Sequence, residues 1–183
     1  MTGITLAERI GLIEAALSAF PHAFGGAIAL AYYADPRATV DIDVNIFVPV
    51  SEYEPVAVQL SALGVQANSP ESLELVNREG QIRVFWDETP IDMFFSYDAF
   101  HDAAAVARRT VPFAGGSIQV LSPEHLMVCK VVFNRPKDWI DLDAMLAGGA
   151  ALDASEVLRW VARIVGDEDA RYARVVALLT QRE

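Results

Sequence analysis

Apolar and polar residues alternate in several short stretches of this chain. In residues 40–48 a Val or Ile takes every second position, and residues 81–86 and 90–96 form two further short apolar runs. A period of two predicts β-strands, because successive side chains of a strand point to opposite faces. The polar link 87–89 predicts a hairpin between two of these strands, and a further strand pair is predicted around the Gly-Gly turn at 115–116.

A second pattern repeats apolar residues at steps of three and four. It covers residues 5–20 and 52–63, and most of the chain from Ser122 onward follows it. This spacing places apolar side chains on one side of a helix. Residues 65–80 are polar and show neither period, which predicts irregular structure. Predicted strands and helices are mixed in the first part of the chain, and mainly helices are predicted from Ser122 onward. The pattern therefore predicts an α/β (α+β) fold.

Length and composition fit one domain with a helical appendage. The chain has 183 residues, of which 53% are hydrophobic and 21% charged, so it can bury a sizeable core. The Gly148-Gly149 pair is the best place to divide it. We therefore predict an α/β core over residues 1–147, including the helices of Lys130 and Asp138, and a C-terminal helical tail over residues 148–183 packed on that core.

Charge and cysteine content exclude several classes of protein. There are 14 Lys and Arg residues against 25 Asp and Glu residues, a net charge of −11, which disfavours broad nucleic-acid binding but not a compact nucleotide site with bound metal. The single cysteine, Cys129, excludes an internal disulfide and a cysteine zinc cluster. Residues 1–20 do not resemble a signal peptide, and no apolar run is long enough to span a bilayer. We expect a soluble, cytoplasmic protein with no membrane partner.

Three acids are the candidate catalytic and metal-binding residues. Asp41 and Asp43 lie two positions apart on a predicted strand, so their carboxylates project side by side from one face. Adjacent carboxylates repel each other, and Mg²⁺ or Mn²⁺ would relieve that repulsion through oxygen ligands. Asp92 begins the apolar run IDMFF, where an ionised side chain needs a partner. The residues alone leave a second interpretation open, in which the pair is a solvated strand face and Asp92 begins an exposed edge.

Two blocks of sequence carry a family resemblance. Residues 25–48 read GGAIALAYYADPRATVDIDVNIFV, and residues 121–142 read LSPEHLMVCKVVFNRPKDWIDL. The first block, a Gly-Gly turn, a predicted helix and then Asp-x-Asp on a strand, resembles the nucleotidyltransferase superfamily of the DNA polymerase β type. Both blocks resemble its small bacterial AbiEii-toxin-like and stand-alone members. The chain departs from the superfamily at Gly26, where Ser is frequent, and in the long run from Gly26 to Asp41.

The resemblance implies a fold and a set of roles. The fold is the nucleotidyltransferase fold, a mixed, mainly antiparallel sheet flanked by helices, with C-terminal helices in this chain. Gly25 and Gly26 would let the backbone approach the triphosphate, which also gains from the helix N-terminus behind them. Asp41 and Asp43 would hold the metal ions, and Asp92 would share the catalytic ion and accept the proton of the attacking hydroxyl.

Three further residues are implied in nucleotide binding, and each has an alternative. Lys130 would reach the triphosphate, or it is a lysine that extends from an apolar helix to solvent. Asp138 corresponds to a recurrent acid of the toxin-like members, or it caps the helix after Pro136. Arg37 would contact phosphate, or it is an ordinary surface arginine beside a proline.

The implied activity is transfer of a nucleoside monophosphate from a nucleoside triphosphate, such as ATP, to a hydroxyl acceptor with release of pyrophosphate. The acceptor stays open between RNA, a protein and a small molecule. The toxin-like members suggest a toxin–antitoxin pair and a cognate antitoxin as partner. Two rivals remain, a catalytically silent domain of the same fold that binds nucleotide or protein, and a modifier of the aminoglycoside type.

Overall fold

The computed structural model describes residues 3–149 and 151–180. Its helices are α1 (Leu6–Ala16), α2 (Gly26–Leu30), α3 (Tyr53–Ser61), α4 (Pro70–Glu79), α5 (Ala99–Ala107), α6 (Pro123–Phe133), α7 (Pro136–Ala147), α8 (Ala154–Val165) and α9 (Ala170–Thr180), with a short 3-10 helix at Val50–Glu52. Its strands are β1 (His22–Phe24), β2 (Ile42–Pro49), β3 (Gln81–Trp86), β4 (Thr89–Ser96), β5 (Arg109–Phe113) and β6 (Gly116–Val120). Over these ranges, no helix combines the length and the apolar character needed to cross a membrane.

The described strands form one mixed sheet in the order β3-β4-β2-β1-β6-β5. Strand β2 pairs in parallel with β4, and β1 pairs in parallel with β6, whereas β1–β2, β3–β4 and β5–β6 are antiparallel. The α/β class and the mixed, mainly antiparallel sheet flanked by helices are therefore confirmed. Both predicted strand pairs, β3–β4 and β5–β6, are present.

The prediction of irregular structure for residues 65–80 is wrong, because helix α4 occupies its second half. Local capping contacts stabilise this helix although its sequence is polar. The Ser69 side chain accepts a hydrogen bond from the amide of Ser72, and Pro70 follows at the first helical position. Gly80 ends the helix with a φ of 68°, the left-handed conformation that favours glycine. These caps were readable in the sequence, but the segment is mostly polar and only Val76 of the helix is buried.

The central strands β2 and β4 have one buried and one partly exposed face. Their alternate apolar side chains are fully buried and form the core under the sheet: Ile42, Val44, Ile46, Ile91, Met93 and Phe95. Asp43 and Asp92 lie on the opposite face and are only partly buried, whereas Asn45 on that face is buried. Burial of the apolar set fixes which way each strand faces, since a slip of one residue would expose it.

Contacts along the chain group it into two compact units. The first contains Met1–Ile28 and Ala38–Val120, and the second contains Ala29–Arg37 and Leu121–Glu183. Helices α6 and α7, which the sequence assigned to the core, group with the C-terminal helices because α6 packs on α8 and α9. The boundary after residue 147, as a limit of independent folding, stays a prediction.

Candidate active site

Two of the predicted catalytic acids lie directly beside each other on neighbouring strands. In the parallel β2–β4 pair Asp43 is the register partner of Asp92. Register partners project from the same face of a sheet, so both carboxyl groups lie on the partly exposed face of the first unit. The register also pairs Ile42 with Ile91 and Val44 with Met93, all fully buried. The hydrophobic core therefore holds the two acids in register.

Asp41 lies one residue before strand β2. Its amide donates a hydrogen bond of 3.2 Å to the Thr39 hydroxyl, which in turn donates one of 3.2 Å to the Asp41 carbonyl. These bonds fix the backbone where the chain enters the strand. Asp41 and Asp43 are both partly buried, so the pair is not a fully solvated strand face.

The Gly-Gly turn approaches Asp43 closely. The Gly25 amide donates a hydrogen bond of 2.9 Å to the Asp43 carbonyl. This backbone hydrogen bond connects the residue after β1 to β2. Gly26 has a φ of 50°, and a Cβ atom there would lie 1.8 Å from the Asp43 carboxylate oxygen Oδ2. A side chain at residue 26 would displace that carboxylate, and the positive φ also favours glycine there. The predicted approach of both glycines to a triphosphate stays a prediction.

The third acid, Asp92, is bound by an arginine of the edge strand β3. Arg83 is its antiparallel register partner, and its Nε and Nη2 atoms donate to Oδ1 at 2.7 Å and to Oδ2 at 2.6 Å. The hydrogen bonds and charge of Asp92 raise the pKa of Arg83 most, burial lowers it, and the charges of Asp41 and Asp43 raise it by smaller amounts. Arg83 therefore interacts electrostatically with all three acids.

The donor set suits a hard divalent cation in its chemistry. Asp43 and Asp92 offer carboxylate oxygens from one face of the sheet, and the backbone at Gly26 leaves room for the Asp43 carboxylate. Within residues 3–149 and 151–180, however, no three His, Cys, Asp or Glu side chains are assembled as a group that could hold a metal ion. In this conformation both oxygens of Asp92 bond to Arg83.

The other predicted nucleotide-binding residues belong to the second unit, where they form an ion-pair cluster. Lys130 is only 4% exposed, and its Nζ atom bonds to Oδ2 of Asp141 at 2.5 Å. Arg37 binds the same carboxylate with Nε and Nη2, at 3.0 and 3.1 Å. Burial alone would raise the pKa of Asp141, but the hydrogen bonds and charges of Arg37 and Lys130 outweigh it and lower that pKa. Lys130 does not extend to solvent, so that alternative is wrong.

Asp138 caps helix α7. Its buried carboxylate accepts hydrogen bonds from the Arg135 amide at 3.0 Å and from the Arg135 guanidinium at 2.7 and 3.0 Å. A further ion-pair distance of 3.9 Å joins it to Nζ of Lys130. The capping alternative is thus the contact observed, and roles of Asp138, Lys130 and Arg37 toward a nucleotide stay predictions.

Sequence reasoning missed two charged residues of these clusters, although signals for both were present. Arg83 follows from the predicted hairpin, because counting back from the 87–89 link pairs it with Asp92. Asp141 lies three residues after Asp138 on the same helix, the spacing of neighbours on one helical face. A buried lysine nearby also demands a carboxylate partner.

The comparison with protein families decides the class of the chain. The family model described as "Nucleotidyl transferase AbiEii toxin, Type IV TA system" matches residues 14–182. The chain belongs to the AbiEii family. The match spans both motif blocks and the three acids, so the resemblance inferred from the motifs is confirmed. No curated protein shows a significant sequence match to this AbiEii member.

Solved structures show the same fold at low identity. A solution structure of the antibiotic-resistance factor ANT(2'')-Ia is 17% identical, with a TM-score of 0.61 over 96% of this chain and 95% of that chain. A crystal structure of ANT(2'')-Ia in complex with adenylyl-2''-tobramycin is 15% identical, with a TM-score of 0.55 over 97% and 98%. An antigenic nucleotidyltransferase-like protein from Paracoccidioides brasiliensis is 14% identical, with a TM-score of 0.48 over 97% and 88%. The ANT(2'')-Ia structures confirm the nucleotidyltransferase fold for the AbiEii member.

Proposed function

We propose that this protein is a Mg²⁺- or Mn²⁺-dependent nucleotidyltransferase that moves a nucleoside monophosphate from a nucleoside triphosphate to a hydroxyl acceptor. The observation that carries the proposal is the register pair of Asp43 and Asp92 on one sheet face, with Gly26 clearing space for the Asp43 carboxylate. Family membership and fold support the same reaction class.

The acids would divide the work of an in-line displacement. Asp92 would accept the proton of the acceptor hydroxyl while the oxygen–phosphorus bond to the α-phosphate forms and the bond to the leaving pyrophosphate breaks. Asp41 and Asp43 would position the triphosphate through the ions they hold. Bound divalent metal would supply charge neutralisation at the phosphates and a lower pKa for the attacking hydroxyl.

The acceptor and the biological setting are finer proposals. Membership of a toxin family supports a growth-inhibiting activity toward a cellular RNA or protein, with a cognate antitoxin as partner. A second candidate, modification of a small hydroxylated molecule, is favoured by the crystal structure in which ANT(2'')-Ia holds adenylyl-2''-tobramycin. A silent binding domain is the remaining rival, and it has no chemical need for the paired acids Asp43 and Asp92 on one sheet face.

The test measures pyrophosphate release from each nucleoside triphosphate with Mg²⁺ or Mn²⁺. Total RNA, a bacterial lysate protein fraction and tobramycin serve as separate acceptors, and radiolabelled nucleotide identifies which one is modified. We expect label on RNA or protein that depends on the divalent ion. Label on tobramycin alone would support the small-molecule candidate, and no label on any acceptor would support the silent binder.

Asp43→Asn and Asp92→Asn test the site itself. Each should reduce turnover by at least about 10³-fold, because each removes charge that the transition state needs. Folding should be retained in Asp43→Asn, since the change reduces repulsion between like charges. Asp102→Asn is the matched control, because Asp102 is an exposed acid of helix α5 in the same unit. Equal activity of Asp43→Asn, Asp92→Asn and this control would refute the assignment.

A further inference from the structure

The strongest observation beyond the proposed reaction is the way Arg83 holds Asp92. Two parallel hydrogen bonds of 2.7 and 2.6 Å join its guanidinium to both carboxylate oxygens. Such bidentate pairs are the most directional contacts that a carboxylate makes with a side chain. The proposed function requires these same oxygens for a divalent ion and for a proton. Asp92 therefore has two competing kinds of partner.

The position of Arg83 suits exchange between these partners. Arg83 lies on the edge strand β3, and its side chain is 53% exposed, whereas that of Asp92 is 19% exposed. A long, half-exposed side chain can turn toward solvent without disturbing the core. Asp92 cannot follow it, because its strand is held between β3 and β2 and its neighbours Ile91 and Met93 are fully buried.

The charge of Arg83 also serves the acids beyond its direct partner. Its electrostatic interactions extend to Asp41 and Asp43, so one guanidinium offsets part of the repulsion among three carboxylates. Other arginines of the same unit bond elsewhere. Arg9 donates to the Trp86 carbonyl and to Asp87, and Arg78 pairs with its neighbour Glu79.

We propose that Arg83 is an internal counter-cation of the catalytic acids that competes with the divalent ion for Asp92 and thereby sets the metal affinity of the site. The proposal rests on the proposed function, because it takes Asp92 as a metal ligand. One carboxylate charge would serve both partners, and two cations a few ångströms apart repel each other. A divalent ion at Asp92 would therefore weaken the contact with the guanidinium, and the guanidinium charge would weaken binding of the ion.

The test is Mn²⁺ binding followed by electron paramagnetic resonance, without nucleotide or turnover. We expect Arg83→Gln to lower the dissociation constant about tenfold, the order given by a single charge about 5 Å from a divalent ion in a water-like dielectric. Arg83→Lys keeps the charge but lacks the planar fork, so its affinity should lie between wild type and Arg83→Gln. Arg78→Gln is the control, because it removes an equal charge from an arginine that pairs with Glu79.

Three comparisons make the outcome decisive. In an Asp92→Asn background the effect of Arg83→Gln should shrink, because the contested ligand is gone. The competition is refuted, and the metal site stands, if three results occur together. Wild type binds Mn²⁺, Asp43→Asn abolishes that binding, and Arg83→Gln binds no tighter than Arg78→Gln. If neither wild type nor an Arg83 variant binds Mn²⁺, both the competition and the proposed metal site fail. Should Arg83→Gln not fold, Arg83→Lys with wild-type affinity refutes the competition.

Discussion

The close approach of Gly26 to Asp43 supplies the sharpest test of the site's geometry. In Gly26→Ala the new methyl group would meet the Asp43 carboxylate at 1.8 Å, against the 3.4 Å at which ordinary contact begins. The carboxylate must therefore move by about 1.6 Å, and misplacement of a reacting group by about 1 Å costs on the order of 10²-fold in rate. Alanine at a φ of 50° adds a backbone cost of about 1–2 kcal/mol.

Both consequences can be measured separately. Urea unfolding followed by tryptophan fluorescence should show a loss of about 1–2 kcal/mol, and the melting temperature should fall by about 2–8 °C. Mn²⁺ affinity and pyrophosphate release should fall much further than this loss of stability explains, because the displaced group is a proposed metal ligand.

The matched control is Gly11→Ala, since a Cβ atom at Gly11, in the middle of helix α1, would meet no atom within 4 Å. Alanine there should be neutral or stabilise the protein by about 0.5–1 kcal/mol. A Gly26→Ala protein with wild-type stability and wild-type Mn²⁺ affinity would refute the placement of the Asp43 carboxylate against this turn.

Two further predictions concern the ion-pair cluster of the second unit. Because Arg37 and Lys130 lower the pKa of Asp141, their pairing stabilises the fold at neutral pH, and the stabilisation is lost as the pH falls through the lowered value. Urea unfolding of the wild type should therefore lose more free energy between pH 5 and pH 3 than that of Asp141→Asn, and parallel losses would contradict the pairing. Lys130→Met leaves the buried Asp141 with Arg37 alone and should cost about 2–3 kcal/mol. Wild-type stability of Lys130→Met would show that Lys130 adds nothing to this cluster.

The sequence pattern alone predicted the features whose physical cause lies within a short stretch of the chain. Alternation in residues 40–48 predicted strand β2, which begins at Ile42 and contains Asp43 but not Asp41. The hairpin β3–β4 followed from two apolar runs and a short polar link. Motif order identified the family, and the family match confirmed it. Helix α4 was missed because its sequence is mostly polar, although its caps signal a helix.

The tertiary structure decided which distant residues meet. Asp43 and Asp92 become neighbours only through the parallel pairing of β2 with β4, and periodicity within a strand carries no information about its partner. For the same reason, the sequence pattern could not show that Gly26 approaches Asp43 or that Arg37 and Lys130 both bind Asp141. The sequence alone determined which residue types could do chemistry and which way each strand faces. Their distances depend on burying the core side chains, which is a property of the whole folded unit.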